Sequence, residues 1–336
     1  PRWTGDSGGG VRYSCVVGEC ACGCWERGER DRLEKLRETV EKLRRQDFPT
    51  EDYEIVVVDD GSNPPVVFET DFTVSPTIRI VRLEGEERSV ARNTGAREAK
   101  GELVIFIDDD IATKEDFVKN HWQAHQEFAK TLAIGEILLP EDSLNAPFGR
   151  FRQRLEKDGI PRKRGLVAEK NFCAAGNASM KRELFLQLGG FDTTLSSAED
   201  QDFALRHTAQ GGQIVFLPEA SVIHRDNALD IRGYCQRNEW GSRLMLPFYQ
   251  RYPDFPPNIE RERINGLVKW GKEPFKHSIR KTLKAILSSK ISVGILFKTA
   301  EVLEKVAPDS SILDKIYRLL LGAHIFRGYR AAKKEI

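Results

Sequence analysis

The stretch Leu103–Ile111 constrains the fold most, because five consecutive apolar residues lead directly into three aspartates. A short apolar run between polar residues is typical of a strand that is buried on both faces of a sheet. Similar runs alternate with amphipathic helical segments along much of the chain. This alternation predicts an α/β fold with a doubly wound, mainly parallel sheet flanked by helices, followed by a C-terminal helical extension.

The three aspartates stand at the carboxyl end of the predicted strand, where open α/β sheets bind their ligands. In an extended chain Asp108 and Asp110 point to one side and Asp109 points to the other. Neighbouring carboxylates repel each other, and a divalent cation such as Mn²⁺ or Mg²⁺ relieves that repulsion. The aspartates therefore suggest a metal site, and a solvated acidic turn is the alternative interpretation.

A second acidic strand end occurs earlier in the chain. The predicted strand Glu54–Val58 runs into Asp59, Asp60, Gly61 and Ser62. Turn or helix-capping chemistry explains such residues as well as ligand binding does. Because parallel strands end at the same edge of a sheet, we expect this acidic end to lie near the first one.

A basic helix is predicted between these two strands, over residues 87–100. Arg88, Arg92 and Asn93 lie four and five residues apart near its start, so they can share one face. Arginine suits bidentate contacts to phosphate or ribose oxygens. A solvated basic face is the alternative.

Three later features add candidate site residues. The run Phe172–Met180 is small and apolar, and Gly176 would let its backbone approach a ligand closely. Ser197 and Asp200 resemble a capping box that opens a helix reaching about residue 209. The acidic residues Glu199–Asp202 exceed what a cap needs, and we expect the helix dipole to keep Asp200 ionised. Short strands are predicted over Gln213–Leu217 and Ala220–His224, and a linker over Pro253–Pro257. His224 ends the second of these strands; a lone histidine is more often structural than a ligand.

Composition narrows the class of protein. The 336 residues carry a net charge of +1, which gives no general indication of nucleic-acid binding. The sequence contains no run of 18 apolar residues, so a membrane-spanning helix is not expected. The first residues lack the apolar core of a signal peptide, and cytoplasmic residence is therefore expected. We expect a catalytic domain over 1–257, with 1–10 poorly ordered, and a helical region over 258–336.

Several stretches together resemble the family 2 glycosyltransferases, which have the GT-A fold. Each motif is weak alone, but their order and spacing are specific over roughly residues 30–250. The matching stretches are Tyr53–Ser62, Ala91–Gly95 with Lys100–Glu102, Phe106–Asp110, Gly176–Ser179, Gly189–Asp192 and Ala198–Asp202.

The resemblance implies a metal-dependent, inverting enzyme that moves a sugar from a nucleotide-diphosphate donor to an acceptor hydroxyl. Asp200 is then the general base, Asp59 or Asp60 contacts the nucleotide base, and His224 completes the metal shell. The implied metal ligands are Asp108, Asp110 and His224. The implied donor-binding residues are Asp59, Asp60, Gly61, Ser62, Arg88, Arg92, Asn93, Asp108 and Asp109. The implied acceptor-binding residues are Gly176, Asn177, Glu199, Asp202 and Trp240.

The chain departs from the family pattern in two places. Gly18–Trp25 stands where relatives have a Pro-[Thr/Ser]-[Tyr/Phe]-Asn segment that lines the base pocket. This cysteine-rich part of residues 15–24 is interpreted as a lineage-specific loop, a metal-binding segment or the product of a compensated frameshift. Processive relatives carry Gln-x-x-Arg-Trp, whereas Gln236–Trp240 has glutamate in place of the arginine. We therefore expect a non-processive enzyme of polysaccharide or glycolipid synthesis.

Two other functions stay open, a sugar nucleotidyltransferase and a nucleotide-sugar-binding protein with impaired catalysis. The expected partners are the nucleotide-diphosphate sugar and a carbohydrate or lipid-linked acceptor, without nucleic acid. The C-terminal helices combine apolar stripes with many lysines and arginines, which favours peripheral contact with the inner face of a membrane. A helical cap packed on the catalytic domain is the alternative.

Overall fold

The computed structural model describes residues 12–20, 29–68, 76–225 and 230–334, which fall into two compact units. The first unit comprises the described residues up to Leu139 together with Ile160–Thr194 and Glu199–Arg225. The second comprises Pro140–Gly159, Leu195–Ala198 and the described residues from Asp230 onward. The expected functional division into 1–257 and 258–336 stays a prediction.

The first unit is built on a single sheet, to which the described residues contribute nine strands. In chain order the strands are β1 (Tyr13–Cys20), β2 (Tyr53–Asp60), β3 (Thr77–Leu83), β4 (Leu103–Asp108), β5 (Ile111–Ala112), β6 (Thr131–Leu138), β7 (Gly165–Leu166), β8 (Asn177–Lys181) and β9 (Gln213–His224).

The strand order in the sheet is β3-β2-β1-β4-β8-β6-β9-β5, with β7 also pairing with β9. Strands β3, β2, β1 and β4 pair in parallel, and so do β6 and β9. Strand β8 runs antiparallel to both β4 and β6, so β4 and β6 point the same way. The carboxyl ends of β2, β4 and β9 therefore lie along one edge, together with the amino end of β8.

Helices cover both faces of this sheet, as a doubly wound fold requires. They are α1 (Glu29–Arg44), α2 (Arg88–Glu98), α3 (Phe117–Glu127), α5 (Arg182–Gln187) and α6 (Glu199–Ala209). Helices α1 and α3 pack on one face and α2, α5 and α6 on the other. Gly95 lets α2 approach β1 closely, because a Cβ there would lie 2.3 Å from a methyl group of Val16.

The second unit is helical. Its helices are α4 (Pro147–Lys157), α7 (Ile231–Leu244), α8 (Leu246–Arg251), α9 (Pro256–Asn265), α10 (Phe275–Leu287), α11 (Lys290–Val306) and α12 (Ser311–Ala332). Its core joins α4, α7, α11 and α12 around buried side chains such as Phe151, Phe297 and Tyr317. Among the described helices, none combines the length and the apolarity that a bilayer crossing requires.

The fold class is confirmed, with differences in detail. The short, small-residue run around Asn177 contains strand β8, which the sequence did not predict. Two expected strands, Gln213–Leu217 and Ala220–His224, are one continuous strand, β9. The linker expected over Pro253–Pro257 already includes the start of α9. The interpretations of the cysteine-rich segment fall largely on 21–28, outside the described residues.

Candidate active site

The site lies at the sheet edge where β2, β4 and β9 end. Strand β4 delivers Asp108 there, and Asp109 and Asp110 follow in a turn that leads into β5. Strand β5 pairs antiparallel with the end of β9, so that Ile111 lies opposite His224. The backbone N–H of Arg225 donates to the carbonyl of Asp110 over 2.8 Å. These contacts fix the acidic turn against the end of β9.

Asp108 is joined to the start of α6 through Arg92. The guanidinium of Arg92 donates to Asp108 Oδ1 over 2.6 Å and to Glu199 Oε1 over 3.0 Å. The arginine side chain is only 6% exposed. Burial acts to raise the pKa of Asp108, but Arg92 and His224 outweigh it, and the pKa lies below its ordinary value. Asp108 is therefore ionised, and Arg92 holds it next to Glu199.

Asp110 and His224 form a second pair at the same edge. His224 Nε2 lies 3.0 Å from Asp110 Oδ1, and both side chains are partly exposed. His224 is also one of the influences that lower the pKa of Asp108. Of the three metal ligands that the family resemblance implies, the structure thus places Asp110 and His224 in direct contact, with Asp108 at the same sheet edge.

Asp109 points away from this group, as strand alternation predicts. Its carboxylate accepts from Arg32 Nε over 2.6 Å, and its carbonyl accepts from Thr39 Oγ1 over 2.8 Å. Both partners belong to α1. Burial raises the pKa of Asp109 to about 6, although Arg32 opposes the shift. Asp109 thus ties the acidic turn to α1, and its predicted role in donor binding has no support in this arrangement.

Asp200 lies in the first turn of α6, one residue after Glu199. Removal from water, together with the Glu199 carboxylate, raises the pKa of Asp200 to about 7, against the opposing charge of Arg92. The expectation that the helix dipole keeps this group fully ionised is therefore wrong near neutral pH. A carboxylate with a pKa near 7 is suited to accept a proton at physiological pH.

The two aspartates that end β2 differ in how their oxygens are used. Asp59 accepts hydrogen bonds from the backbone N–H groups of Ser62 and Val66, each over 3.0 Å, and pairs with Arg82. Burial acts to raise the pKa of Asp59, but these hydrogen bonds outweigh it and lower the pKa. Asp60 Oδ1 accepts from the N–H of Glu86, whereas its buried Oδ2 has no partner among the described residues.

Comparisons with known proteins indicate one class of enzyme. Residues 30–189 match the model of glycosyl transferase family 2. An uncharacterized glycosyltransferase of Haemophilus influenzae is 31% identical over 170 residues, which cover 50% of this chain and 55% of the relative. A glucosyl-dolichyl phosphate glucuronosyltransferase of Haloferax volcanii is 25% identical over 208 residues, which cover 58% and 66%. The chain thus spans about half to two thirds of the length of these relatives.

Residues 30–189 are thus similar to glycosyl transferase family 2. A solved structure of the Pyrobaculum calidifontis mannosyltransferase PcManGT, in complex with GDP-Man and Mn²⁺, matches 94% of this chain and 86% of its own with a TM-score of 0.56. At 18% sequence identity this similarity concerns the fold alone. The sheet and helices of the first unit thus have the GT-A architecture.

Two predicted site residues have side-chain amides that are hydrogen-bonded within the protein itself. The side-chain amide of Asn93 exchanges two hydrogen bonds of 2.8 Å with the backbone of Phe191. Asn177 donates to the carbonyl of Ala220 over 2.9 Å and contacts a ring nitrogen of His121 at 3.0 Å. Neither amide supports its predicted role in ligand binding.

Three other predicted site residues, Asp202, Arg88 and Trp240, lie in different surroundings. Asp202 is fully buried and pairs with Arg206, which also holds two backbone carbonyls, so its predicted acceptor role has no support here. Arg88 is exposed at the start of α2, and its charge lowers the pKa values of both Asp108 and Asp200. Trp240 belongs to the second unit, where it lines a cleft.

Gly176 lies against the Asp108 carboxylate. A Cβ on this residue would come within 2.4 Å of Asp108 Oδ2, so any side chain would displace the carboxylate. The nearby Cys173 was missed by the sequence analysis. Burial and the negative charge of Asp200 raise the pKa of its thiol, which shows that it is close to the proposed base. Its only signal in the sequence was its place in the small-residue run before Gly176.

The family implies a divalent metal, and the donor set at the edge fits one in part. The described residues hold no ready-made group of three or more histidine, cysteine or acidic side chains arranged as ligands. The Asp110–His224 pair offers one carboxylate oxygen and one imidazole nitrogen, a combination that suits Mn²⁺. Metals that act on nucleotides commonly take few protein ligands and complete their shell with phosphate oxygens and water. The pair therefore fits an ion that is bound together with a diphosphate.

Proposed function

We propose that this chain is a glycosyltransferase that moves a sugar from a nucleotide-diphosphate donor to an acceptor hydroxyl with inversion at the anomeric carbon. The observation that carries the proposal is the convergence of the Asp110–His224 pair and Asp108 on one sheet edge within a domain similar to glycosyl transferase family 2. The edge is where open α/β sheets place their ligands.

The donor nucleotide is proposed to lie along this edge, with its base at the end of β2. Both carboxylate oxygens of Asp59 already accept hydrogen bonds, whereas Asp60 Oδ2 is buried without a described partner. A buried oxygen without a donor is costly, and an N–H group of the base would satisfy it. Asp60, rather than Asp59, is therefore the proposed contact to the base.

The diphosphate is proposed to lie over the acidic turn. Asp110 and His224 would hold Mn²⁺ or Mg²⁺ there. When bound, such an ion neutralises the charge that develops on the departing diphosphate. Arg92 keeps Asp108 ionised and oriented, which leaves that carboxylate available to hydroxyl groups of the ribose.

Asp200 is the proposed general base. The acceptor hydroxyl gives its proton to the Asp200 carboxylate while its oxygen forms a bond to the anomeric carbon. The bond from that carbon to the β-phosphate oxygen breaks at the same time, and the nucleoside diphosphate leaves with the electron pair. Because attack and departure occur on opposite sides, the configuration inverts. The pKa of Asp200, about 7, matches this task near neutral pH.

The products distinguish this proposal from its competitors. The protein is incubated with Mn²⁺ and a panel of nucleotide sugars labelled in the nucleotide, with Asp200→Asn as a control that keeps the side-chain volume. A glycosyltransferase releases nucleoside diphosphate, and the Asn variant binds donor but loses most of the rate, on the order of 100-fold. Pyrophosphate release would indicate a nucleotidyltransferase. Tight donor binding without any turnover would indicate a binding protein.

We also propose that the second unit rests on an anionic membrane surface. Helix α10 exposes an apolar stripe of Phe275, Ile279, Leu283 and Ile286, whose exposed fractions run from 38% to 70%. Exposed cations are close to the stripe in sequence, Lys276 and Arg280 on α10 itself and Lys269 and Lys272 just before it. An apolar stripe edged by cations suits lipid tails and anionic headgroups. A lipid-linked acceptor would make this contact useful, and the name of the Haloferax volcanii relative includes a dolichyl phosphate.

Vesicle flotation tests the membrane proposal. Leu283→Gln should reduce binding to vesicles that contain anionic lipid, because it places an amide in the apolar stripe. Leu166→Gln is the matched control, since Leu166 is 61% exposed but lies on β7 in the first unit. Equal flotation of the two variants, or equal binding to neutral and anionic vesicles, would contradict the proposal.

A further inference from the structure

The second unit contains a cleft of about 610 Å³ that the proposed reaction does not use. It lies among α7, α11 and α12. Its lining includes one carboxylate, Glu239, and four cations, Arg232, Arg243, Lys290 and Arg327. Arg232 pairs with Glu301, outside the lining, and Arg327 lies 3.4 Å from Glu239. A concave surface of this size with an excess of cations is suited to an anionic small molecule.

A buried imidazole nitrogen in the cleft has no hydrogen-bond partner among the described residues. His324 lines the cleft with a side chain that is only 8% exposed, and its Nδ1 lies 2.5 Å from Glu239 Oε2. Its Nε2 is buried and makes no hydrogen bond to any described residue. Because an unsatisfied buried polar atom is costly, this nitrogen indicates a polar group that arrives with a ligand.

Lys290 supplies an unneutralised charge at the same place. It is exposed, it is the first residue of the 17-residue helix α11, and it makes no ion pair with a described residue. A cation at a helix N-terminus adds to the positive end of the helix dipole instead of balancing it. An anion beside Lys290 would relieve this local excess of positive charge.

The cleft also has an apolar wall. Val293, Phe297 and Trp240 line it, and Trp240 remains 42% exposed. The guanidinium of Arg232 lies over the ring of Phe297 at 4.2 Å, so a cation and an aromatic surface adjoin each other. Gly294 opens onto the cleft, because a Cβ there would meet nothing within 4 Å. A ligand therefore needs an apolar or ring-bearing group in addition to its charge.

We propose that this cleft binds a phosphate ester whose organic part is apolar or carries a ring. The phosphate would lie between Lys290 and His324, and the organic part would lie against Trp240 and Phe297. Such an ester could be the headgroup end of a lipid phosphate or a soluble nucleotide. The proposal does not depend on the activity of the first unit.

Calorimetric titration of the full chain tests the site with four probes. They are farnesyl phosphate, farnesol, AMP and inorganic phosphate. The key variant is Lys290→Gln, and its matched control is Lys298→Gln, which removes an exposed cation from the same helix but outside the cleft. At least one ester should bind, and Lys290→Gln should weaken it about tenfold while Lys298→Gln does not. Comparing the affinities of farnesyl phosphate and AMP then shows whether the ester is a lipid phosphate or a nucleotide.

A second readout reports on the imidazole directly. In ¹⁵N-histidine spectra the Nε2 resonance of His324, assigned by its loss in His324→Gln, should move when the ester binds. Equal weakening by the two lysine variants would overturn the proposal. So would farnesol binding as tightly as farnesyl phosphate, or the absence of saturable ester binding up to about 1 mM.

Discussion

Replacing Glu199 with glutamine should shift the pH dependence of the enzyme toward lower pH. Asp200 accepts a proton only when it is ionised, so turnover should fall tenfold per pH unit below its pKa of about 7. The Glu199 carboxylate is the second-largest influence that raises this pKa, after removal from water. Glutamine keeps an oxygen that can accept the hydrogen bond from Arg92, while it removes the negative charge.

The size of the shift follows from the causes acting on Asp200. Its pKa is raised from 3.8 to about 7 by burial and Glu199 together, with Arg92 opposing both. A charge within about 4–6 Å moves the pKa of a carboxyl group by about 1–3 units, and Glu199, the preceding residue, raises that of Asp200. The low end of this range, about 1–1.5 units, corresponds to about 1.4–2 kcal/mol. The acidic limb of the pH–rate profile is the range in which the rate falls as the pH falls. Because burial remains, this limb should move down by about 1–1.5 pH units, and the pKa of Asp200 should not return to that of a free aspartate.

The assay is nucleoside diphosphate release at saturating donor and metal across the acidic and neutral range. Glu183→Gln is the control, since Glu183 is exposed on α5 and is not among the charges acting on Asp200. Only Glu199→Gln should move the limb, and its maximal rate should fall because a less basic carboxylate is a weaker proton acceptor. An active Glu199→Gln variant with an unmoved limb would refute the assignment of that limb to Asp200.

Three further predictions concern individual side chains. Asp110→Ala should abolish the Mn²⁺ dependence of donor binding and His224→Ala should weaken it less, as measured by titration with and without the metal; an unchanged dependence in Asp110→Ala would exclude the pair as ligands. Asp60→Asn should weaken nucleotide binding about tenfold, because the single amide oxygen is needed by the N–H of Glu86 and the NH2 group that replaces Oδ2 cannot accept an N–H of the base; equal affinity in a calorimetric titration would remove Asp60 from the pocket. Asp200→Asn should raise stability by on the order of 1–3 kcal/mol above about pH 7 but not near pH 4, since a raised pKa makes ionisation costly only at the higher pH; thermal unfolding at the two pH values checks this.

Apolar runs predicted the central strands and the edge at which they end, because burial on both faces leaves a clear pattern in the sequence. Strand β8 was not predicted, since Asn177, Ala178 and Ser179 are small or polar and only their neighbours in the fold explain their burial. Strand β9 was divided in two because Pro218 normally interrupts a strand. The structure accommodates this proline where the register with β6 shifts between Gly135 and Ile137, so the strand continues.

The sequence could not predict which polar side chains are free to act. Asn93 and Asp202 stand in the expected motifs, but the amide of Asn93 is bonded to the distant backbone of Phe191 and Asp202 is buried against Arg206, one helical turn on. Asp59 and Asp60 are equivalent in sequence, and only their hydrogen bonds distinguish a satisfied carboxylate from one with an open oxygen. Such partners depend on tertiary packing, which a short motif does not contain.

Tertiary contacts also change the interpretation of the three consecutive aspartates. The sequence argument invoked a cation because three adjacent carboxylates repel each other. In the fold they diverge, and each already has a basic partner on a different element. The partners are Arg92 on α2 for Asp108, Arg32 on α1 for Asp109 and His224 on β9 for Asp110. The chain therefore relieves this repulsion with its own side chains.

It follows that the metal should matter for the donor and not for the fold. A ligand that binds only the native state raises the melting temperature, and an ion held by just Asp110 and His224 should bind weakly without a diphosphate. We expect a chelator to leave the melting temperature of the free protein unchanged. With nucleoside diphosphate present, Mn²⁺ should raise it by several degrees, and Asp110→Ala should remove that increase. A large loss of stability on chelation of the free protein would mean that the ion is structural, and the assignment of this pair to donor binding would be wrong.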